Sequence, residues 1–134
     1  MSGMADGGEA QTWISRVRFE SIVSEALDGI PGDLASHLEN VAVVVEDEPS
    51  REVLSEMGLD PEIDSLYGLY EGTPLTERDG QFGGLPDRVV IYYRTLAEDF
   101  RDEYHLRLEI RRTVIHEVGH FFGFDDERLE EMGY

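Results

Sequence analysis

The chain has 134 residues, enough for one domain that buries roughly two-thirds of the surface its unfolded form would expose. Thirty acidic residues stand against eleven basic ones, all arginine; the formal charge of −19 repels phosphate backbones, so nucleic acid is not an expected partner. Cysteine is absent, which excludes disulfides, thiolate metal sites and a cysteine nucleophile, and no run approaches the roughly twenty apolar residues of a membrane span.

Residues 1–11 are rich in Gly and Ala and show neither the basic start nor the apolar core of a signal peptide. They read as a flexible tail before a single domain over 12–134, and a cytoplasmic setting is expected. From Trp13 onward, Val17, Phe19, Ile22, Val23, Ala26 and Leu27 recur at approximately helical spacing until Gly29 and Pro31 break the pattern. A second short helix is expected through Leu34 and Leu38, with His37 as a surface residue. Val41 to Val45 is almost wholly apolar and β-branched, which suits a strand covered on both faces. Ser50 suits the N-cap of a helix ending near Gly58. Ser65 to Glu71 reads as a second strand, in which Gly68 marks a bulge or a close approach. The Gly/Pro-rich stretch from Gly72 to Asp87 is long enough to overhang a cleft, or is a plain surface connection. Arg88 to Tyr93 is the third strand. This order predicts an α+β fold, a small twisted sheet of about three strands packed with helices, with the functional helix near the C-terminus.

That last long helix is the most informative part of the chain. Leu106, Ile110, Val114 and Phe121 line one side and Leu108, Ile115, Val118 and Phe122 continue apolar surface around the other, as in a helix central to its domain. Glu109, Thr113, His116 and His120 share one stripe that should face a cleft. Glu109 and Thr113 could accept the outer N–H of a ligand imidazole, or be ordinary solvated positions. Residues 116–126 read His-Glu-Val-Gly-His-Phe-Phe-Gly-Phe-Asp-Asp. Histidines four apart on a helix lie one above the other and can offer two nitrogens to a single cation, with Glu117 one step around. Gly119 removes a side chain where a neighbouring backbone needs to come close. Gly123 can take the left-handed conformation that ends helices, and the turn can fold Asp126 back toward the histidines. Zinc accepts His nitrogen and Asp oxygen, and a catalytic site keeps three protein ligands and a fourth position for water. His105, eleven residues before His116, would lie about 16 Å away on a continuous helix and is not a candidate ligand.

This H-E-x-x-H-x-x-G-x-x-D pattern resembles the zincin metallopeptidases, and within them the Asp-zincins. Only fourteen residues follow His120, so neither a third ligand on a distant helix nor a methionine-bearing turn is expected, although Glu127, Glu130 and Glu131 remain formally available. The chain is similar to a family of very small bacterial mini-zincins. The resemblance implies one Zn2+ held by His116, His120 and Asp126, and Glu117 as general base toward a water whose pKa zinc lowers from about 16 to about 7. It implies amide hydrolysis of an unidentified peptide or protein, with one of the three strands pairing with extended substrate at its edge. It further implies supporting roles for Gly123 and for Tyr134, which could pack beside the metal; a frayed terminus is the plainer alternative. Tyr92, Tyr93, Tyr134 and Arg112 are candidate oxyanion partners. Two other classes stay open: a metal-binding zincin-like module with weak or no catalysis, acting in binding or regulation, and a motif that only packs a helix. So small a site could be completed by a homodimer.

Overall fold

A computed structural model describes residues 12–39, 41–72 and 87–131, without the side chains of Asp33, His37 and Phe121. The expectations for the N-terminal tail, for most of the 72–87 connection, for the side chains of His37 and Phe121, and for Tyr134 lie outside the described residues.

Helix α1 (Arg16–Asp28) opens at Ser15, whose hydroxyl accepts the N–H of Arg18 at 3.1 Å, a cap that satisfies one of the free donors of the first turn. Its buried face is Phe19, Ile22, Val23 and Ala26. Val17, expected on that face, is 76% exposed. Two residues before Phe19 is about 160° around a helix of 3.6 residues per turn, so Val17 belongs to the solvent side. Helix α2 (Gly32–Ala35) and a 3-10 turn (Ser36–Leu38) carry Leu34 into the core. Strand β1 (Val41–Glu46) follows, and then α3 (Arg51–Glu56), capped by the Ser50 hydroxyl at 3.0 Å from the Val53 N–H. The backbone turns out of α3 at Gly58, φ +78°.

Strands β2 (Gly68–Glu71) and β3 (Asp87–Tyr92) complete a sheet of order β1-β3-β2, with β1 parallel and β2 antiparallel to β3. The second strand is three residues shorter at its start than its sequence suggests. The strand covered on both faces is β3, with Val89 to Tyr92 all buried, and not β1. In β1, Val41, Val43 and Val45 pack on the core while Ala42 is exposed, because an edge strand lacks a neighbour on one flank and is covered incompletely.

Helix α4 (Tyr93–Asp99) leads directly out of β3 and is tied to the segment before α1. The Trp13 indole donates to the Ala97 carbonyl at 2.7 Å, and the Tyr93 hydroxyl donates to that of Ile14 at 2.5 Å. Helix α5 (Glu103–Phe121) lies against α1 and the sheet; Leu106, Ile110 and Val114, spaced four apart, are fully buried. Its apolar surface is narrower than the sequence suggests, since Leu108 is only half-buried and Phe122 is 36% exposed. Arg18 to Glu103 (2.6 Å) and Arg107 to Glu25 (2.8 Å) link α1 to α5 along their outer edge. Helix α6 (Asp126–Glu131) ends the described chain. The result is an α+β domain. Among the described residues no helix is long and apolar enough to cross a membrane.

Candidate metal centre

Helix α5 begins at Asp102, which accepts the N–H of His105 at 2.8 Å, and runs nineteen residues before the chain reverses. The reversal is a two-bond left-handed cap. The Gly123 N–H donates to the His120 carbonyl (3.1 Å) and the Phe124 N–H to that of Gly119 (2.7 Å), with Gly123 at φ +93°. Asp125 then accepts the N–H of Arg128 at 2.8 Å and starts α6, so Asp126 is the first residue of that helix.

Leu129, one turn further on, is fully buried against α5 at Gly119. A Cβ built at residue 119 would stand 3.0 Å from Leu129 Cδ2, so the missing side chain admits a leucine rather than a neighbouring backbone. Docked this way, α6 carries Asp126 back across the end of α5. Its Oδ1 lies 2.7 Å from His120 Nε2 and 3.8 Å from His116 Nδ1. The imidazoles are 5.8 Å apart and nearly perpendicular, and one atom of each of the three residues lies within 4.8 Å of the other two.

A tetrahedral ion with bonds of about 2.0–2.1 Å sets its ligand atoms about 3.4 Å apart, so spacings of this order suit a shared cation after small adjustments. The donor chemistry, two imidazoles and a carboxylate, is that of a zinc site. Its outer half is open, with the side chains of His120 and Asp126 48% and 73% exposed.

Glu117 faces inward beside this cluster. It is half-buried, and its Oε1 accepts the backbone N–H of Tyr70 at 3.0 Å. Burial raises its pKa above the ordinary 4.5, while the Tyr70 N–H and the two imidazoles pull the other way. Nothing in the sequence marks Tyr70 for this contact, because the donor is a main-chain group. The sheet explains it. Tyr92 N–H donates to the Tyr67 carbonyl at 2.9 Å, so by alternation Leu69 and Glu71 bond inward to β3, while the polar groups of Gly68 and Tyr70 point away from β3, which turns the Tyr70 N–H toward Glu117.

Beside Glu117 lies a cleft of about 270 Å³. One wall is Leu66, Tyr67 and Gly68 at the entry to β2; the other is the α5 stripe of Glu109, Arg112, Thr113, His116 and Glu117. Three residues of the expected stripe, Glu109, Thr113 and His116, thus face a cleft, while His120 lies outside its lining. Gly68 marks close approach: a Cβ there would be 2.7 Å from Thr113 Cγ2 and 2.9 Å from the Val90 carbonyl. The Glu109 carboxylate accepts from Arg112 Nη1 at 2.6 Å. Of the oxyanion candidates, Arg112 is in the cleft, whereas Tyr92 and Tyr93 are buried, the latter bonded to Ile14. His105 is exposed and pairs with Asp102 at 2.7 Å. Glu127, Glu130 and Glu131 are exposed on α6, outside the His116–His120–Asp126 group.

A sheet whose antiparallel edge strand lies over a helix bearing H-E-x-x-H, closed by a glycine turn and a carboxylate, is the layout of a zincin-like domain. The sequence matches the zincin-like metallopeptidases over residues 38–134, and the chain belongs to that family. A solved structure of a conserved hypothetical protein from Thermus thermophilus is similar in fold. It shares 24% identity over 89% of this chain and 97% of that one, with a TM-score of 0.53. No curated protein matches. Membership in this family implies a bound metal, typically zinc.

Proposed function

We propose that the chain is a zinc-dependent metallopeptidase or amide hydrolase acting on a peptide or protein, with His116, His120 and Asp126 holding one ion and Glu117 as general base. The observation that carries this reading is the return of Asp126 across the two histidines of α5, next to a half-buried carboxylate. When bound, zinc supplies Lewis acidity, polarising a carbonyl and making water nucleophilic at neutral pH. The Tyr70 N–H anchors Oε1 of Glu117, which leaves Oε2 to take a proton from water in the cleft and pass it to the leaving amine. A carboxyl whose pKa is raised by burial is better suited to carry that proton both ways. β2, whose outer side lies away from β3 next to Glu117, is the strand on which an extended substrate would pair.

Metal analysis of the purified chain and a Glu117→Gln variant assayed on a peptide library test this. Expected are stoichiometric zinc in both proteins and a loss of at least about 100-fold in turnover in the variant, the usual contribution of a general base. Asp126→Ala and His120→Ala should lose metal as well as turnover. A parent that binds zinc and cleaves nothing would favour a metal-binding module instead, a reading supported by the exposure of His120 and Asp126 to bulk water. A second copy of the chain over this open face would exclude that water, and sedimentation with and without zinc would reveal it.

A further inference from the structure

We propose that Arg112 is the specificity-determining residue of the cleft, receiving a substrate carboxylate that lies on the α5 side of the bond to be cut; this deepens the hydrolase reading and rests on it. Arg112 stands one helical turn before His116 and lines the cleft with a side chain 53% exposed. Glu109, one turn earlier still, is only 19% exposed and accepts Nη1 at 2.6 Å. The deeper carboxylate therefore fixes the guanidinium and compensates part of its charge, while the half-exposed Arg112 side chain still lines the cleft. A guanidinium carries five N–H donors, and the bond to Glu109 spends one. A fork oriented this way matches a carboxylate in two-point geometry, which an ammonium does not.

The surroundings sharpen this role. In a chain of charge −19, Arg112 is the one arginine lining the cleft among the described residues. An anionic substrate group is repelled by most of the surface and received at this point. The opposite wall is formed by Leu66, Gly68 and Tyr67, whose hydroxyl is spent on Asp99 at 2.5 Å, so the side chains it presents are apolar or already bonded. That wall offers packing to an intervening side chain and no second cationic group.

Spacing sets the position of the carboxylate. At 1.5 Å per residue, Arg112 is about 6 Å along α5 from His116 and about 12 Å from His120. Extended peptide spans about 3.3–3.6 Å per residue, so a group at Arg112 belongs to a substrate residue roughly two or three positions from the scissile carbonyl. Either a C-terminal carboxylate or an Asp or Glu side chain at that distance supplies the same chemistry. A basic substrate side chain is the poorer fit, because the guanidinium is the more exposed member of the pair and is the group it would meet first.

The test is calorimetric binding to the full zinc-loaded chain in the Glu117→Gln background, so that turnover does not enter. Three matched peptides are compared: a free C-terminus, the same peptide amidated, and an amidated peptide with Asp two positions beyond the scissile bond. Expected is at least about tenfold tighter binding of one carboxylate peptide over the neutral one, and the preferred peptide identifies the source. Arg112→Gln should abolish that preference while leaving zinc content unchanged; Arg112→Lys should keep only part of it, and Glu109→Gln should weaken it. Equal affinities, no binding of any peptide, tighter binding of a Lys or Arg peptide, or a preference that survives Arg112→Gln would each overturn the assignment. Should Arg112→Gln fail to fold, the comparison in the parent and Arg112→Lys still decide. Zinc binding and hydrolysis by the unsubstituted chain are measured separately, so loss of the hydrolase reading is distinguishable from loss of this one.

Discussion

Gly123 stands at φ +93°, and among the described residues a side chain there meets no neighbour, so it suffers from its own backbone conformation. Gly123→Ala is expected to cost about 1–2 kcal/mol, the penalty of a left-handed residue with a Cβ, read from the denaturant midpoint. Because the same turn aims Asp126, zinc affinity should fall too, and a variant with wild-type stability and affinity would show that the cap is dispensable. The residues of this turn were legible in the sequence, since a helix end is written in a few neighbouring positions. The partner of Glu117 was not. Its anchor is a main-chain N–H forty-seven positions earlier, and a main-chain group leaves no signature in residue identity. Arg112 was visible only as one of four oxyanion candidates; its pairing with Glu109 and its place in the cleft single it out.

Among the helices, α6 is short and depends on one anchor. Leu129 is fully buried at Gly119, and Leu129→Ala is expected to cost about 2–5 kcal/mol, as other deletions of a buried leucine do. Calorimetric zinc titration should show weaker binding at the same time, because Asp126 rides on the same six residues. Unchanged zinc affinity in a destabilised variant would mean that the turn alone positions Asp126. The α1–α5 contact predicts a dependence on pH. Arg107 holds the Glu25 carboxyl below its usual 4.5, and Arg18 does the same for Glu103. A depressed folded pKa contributes stability that is present above 4.5 and is lost as pH falls through the folded value. Arg18→Gln should therefore lower Tm slightly at pH 7, as exposed ion pairs do, and the two melting curves should converge in acid. A difference that persists at pH 2 would point to lost packing instead. Helices α1, α3 and α5 announce themselves through caps and 3.6-residue spacing, whereas Val17 misleads because hydrophobicity alone does not say which side of a helix is covered.

On the scale of the whole molecule, the sheet order β1-β3-β2 sets β2 beside α5, and the lack of a side chain at Gly68 lets strand and helix meet at Thr113. The proposed metal ligands lie on α5 and α6, which are held to the rest through Leu106, Ile110, Val114 and Leu129, so metal binding and folding should be coupled. With free zinc at 100 times its Kd, binding adds about 2.7 kcal/mol, on the order of 10 °C in Tm for a domain of this size. Chelation should remove that increment in a melting experiment, and readded zinc should restore it. Equal melting temperatures with and without chelator would argue against a site at these three residues.

The spacing of His116, Glu117 and His120, the stop at Gly123 and the acidic surface follow from the amino-acid sequence alone. Helical geometry repeats within four residues and net charge needs no geometry at all. The sequence likewise carries the α+β order of elements and three apolar strand segments. Which strand lies in the middle, which edge faces α5, and how Leu129 brings Asp126 to the histidines were decided by the tertiary structure. Those outcomes depend on contacts between residues far apart in the chain. β3 outcompetes β1 for the centre only because β2 returns antiparallel to it, and local periodicity is the same for a central strand and an edge strand.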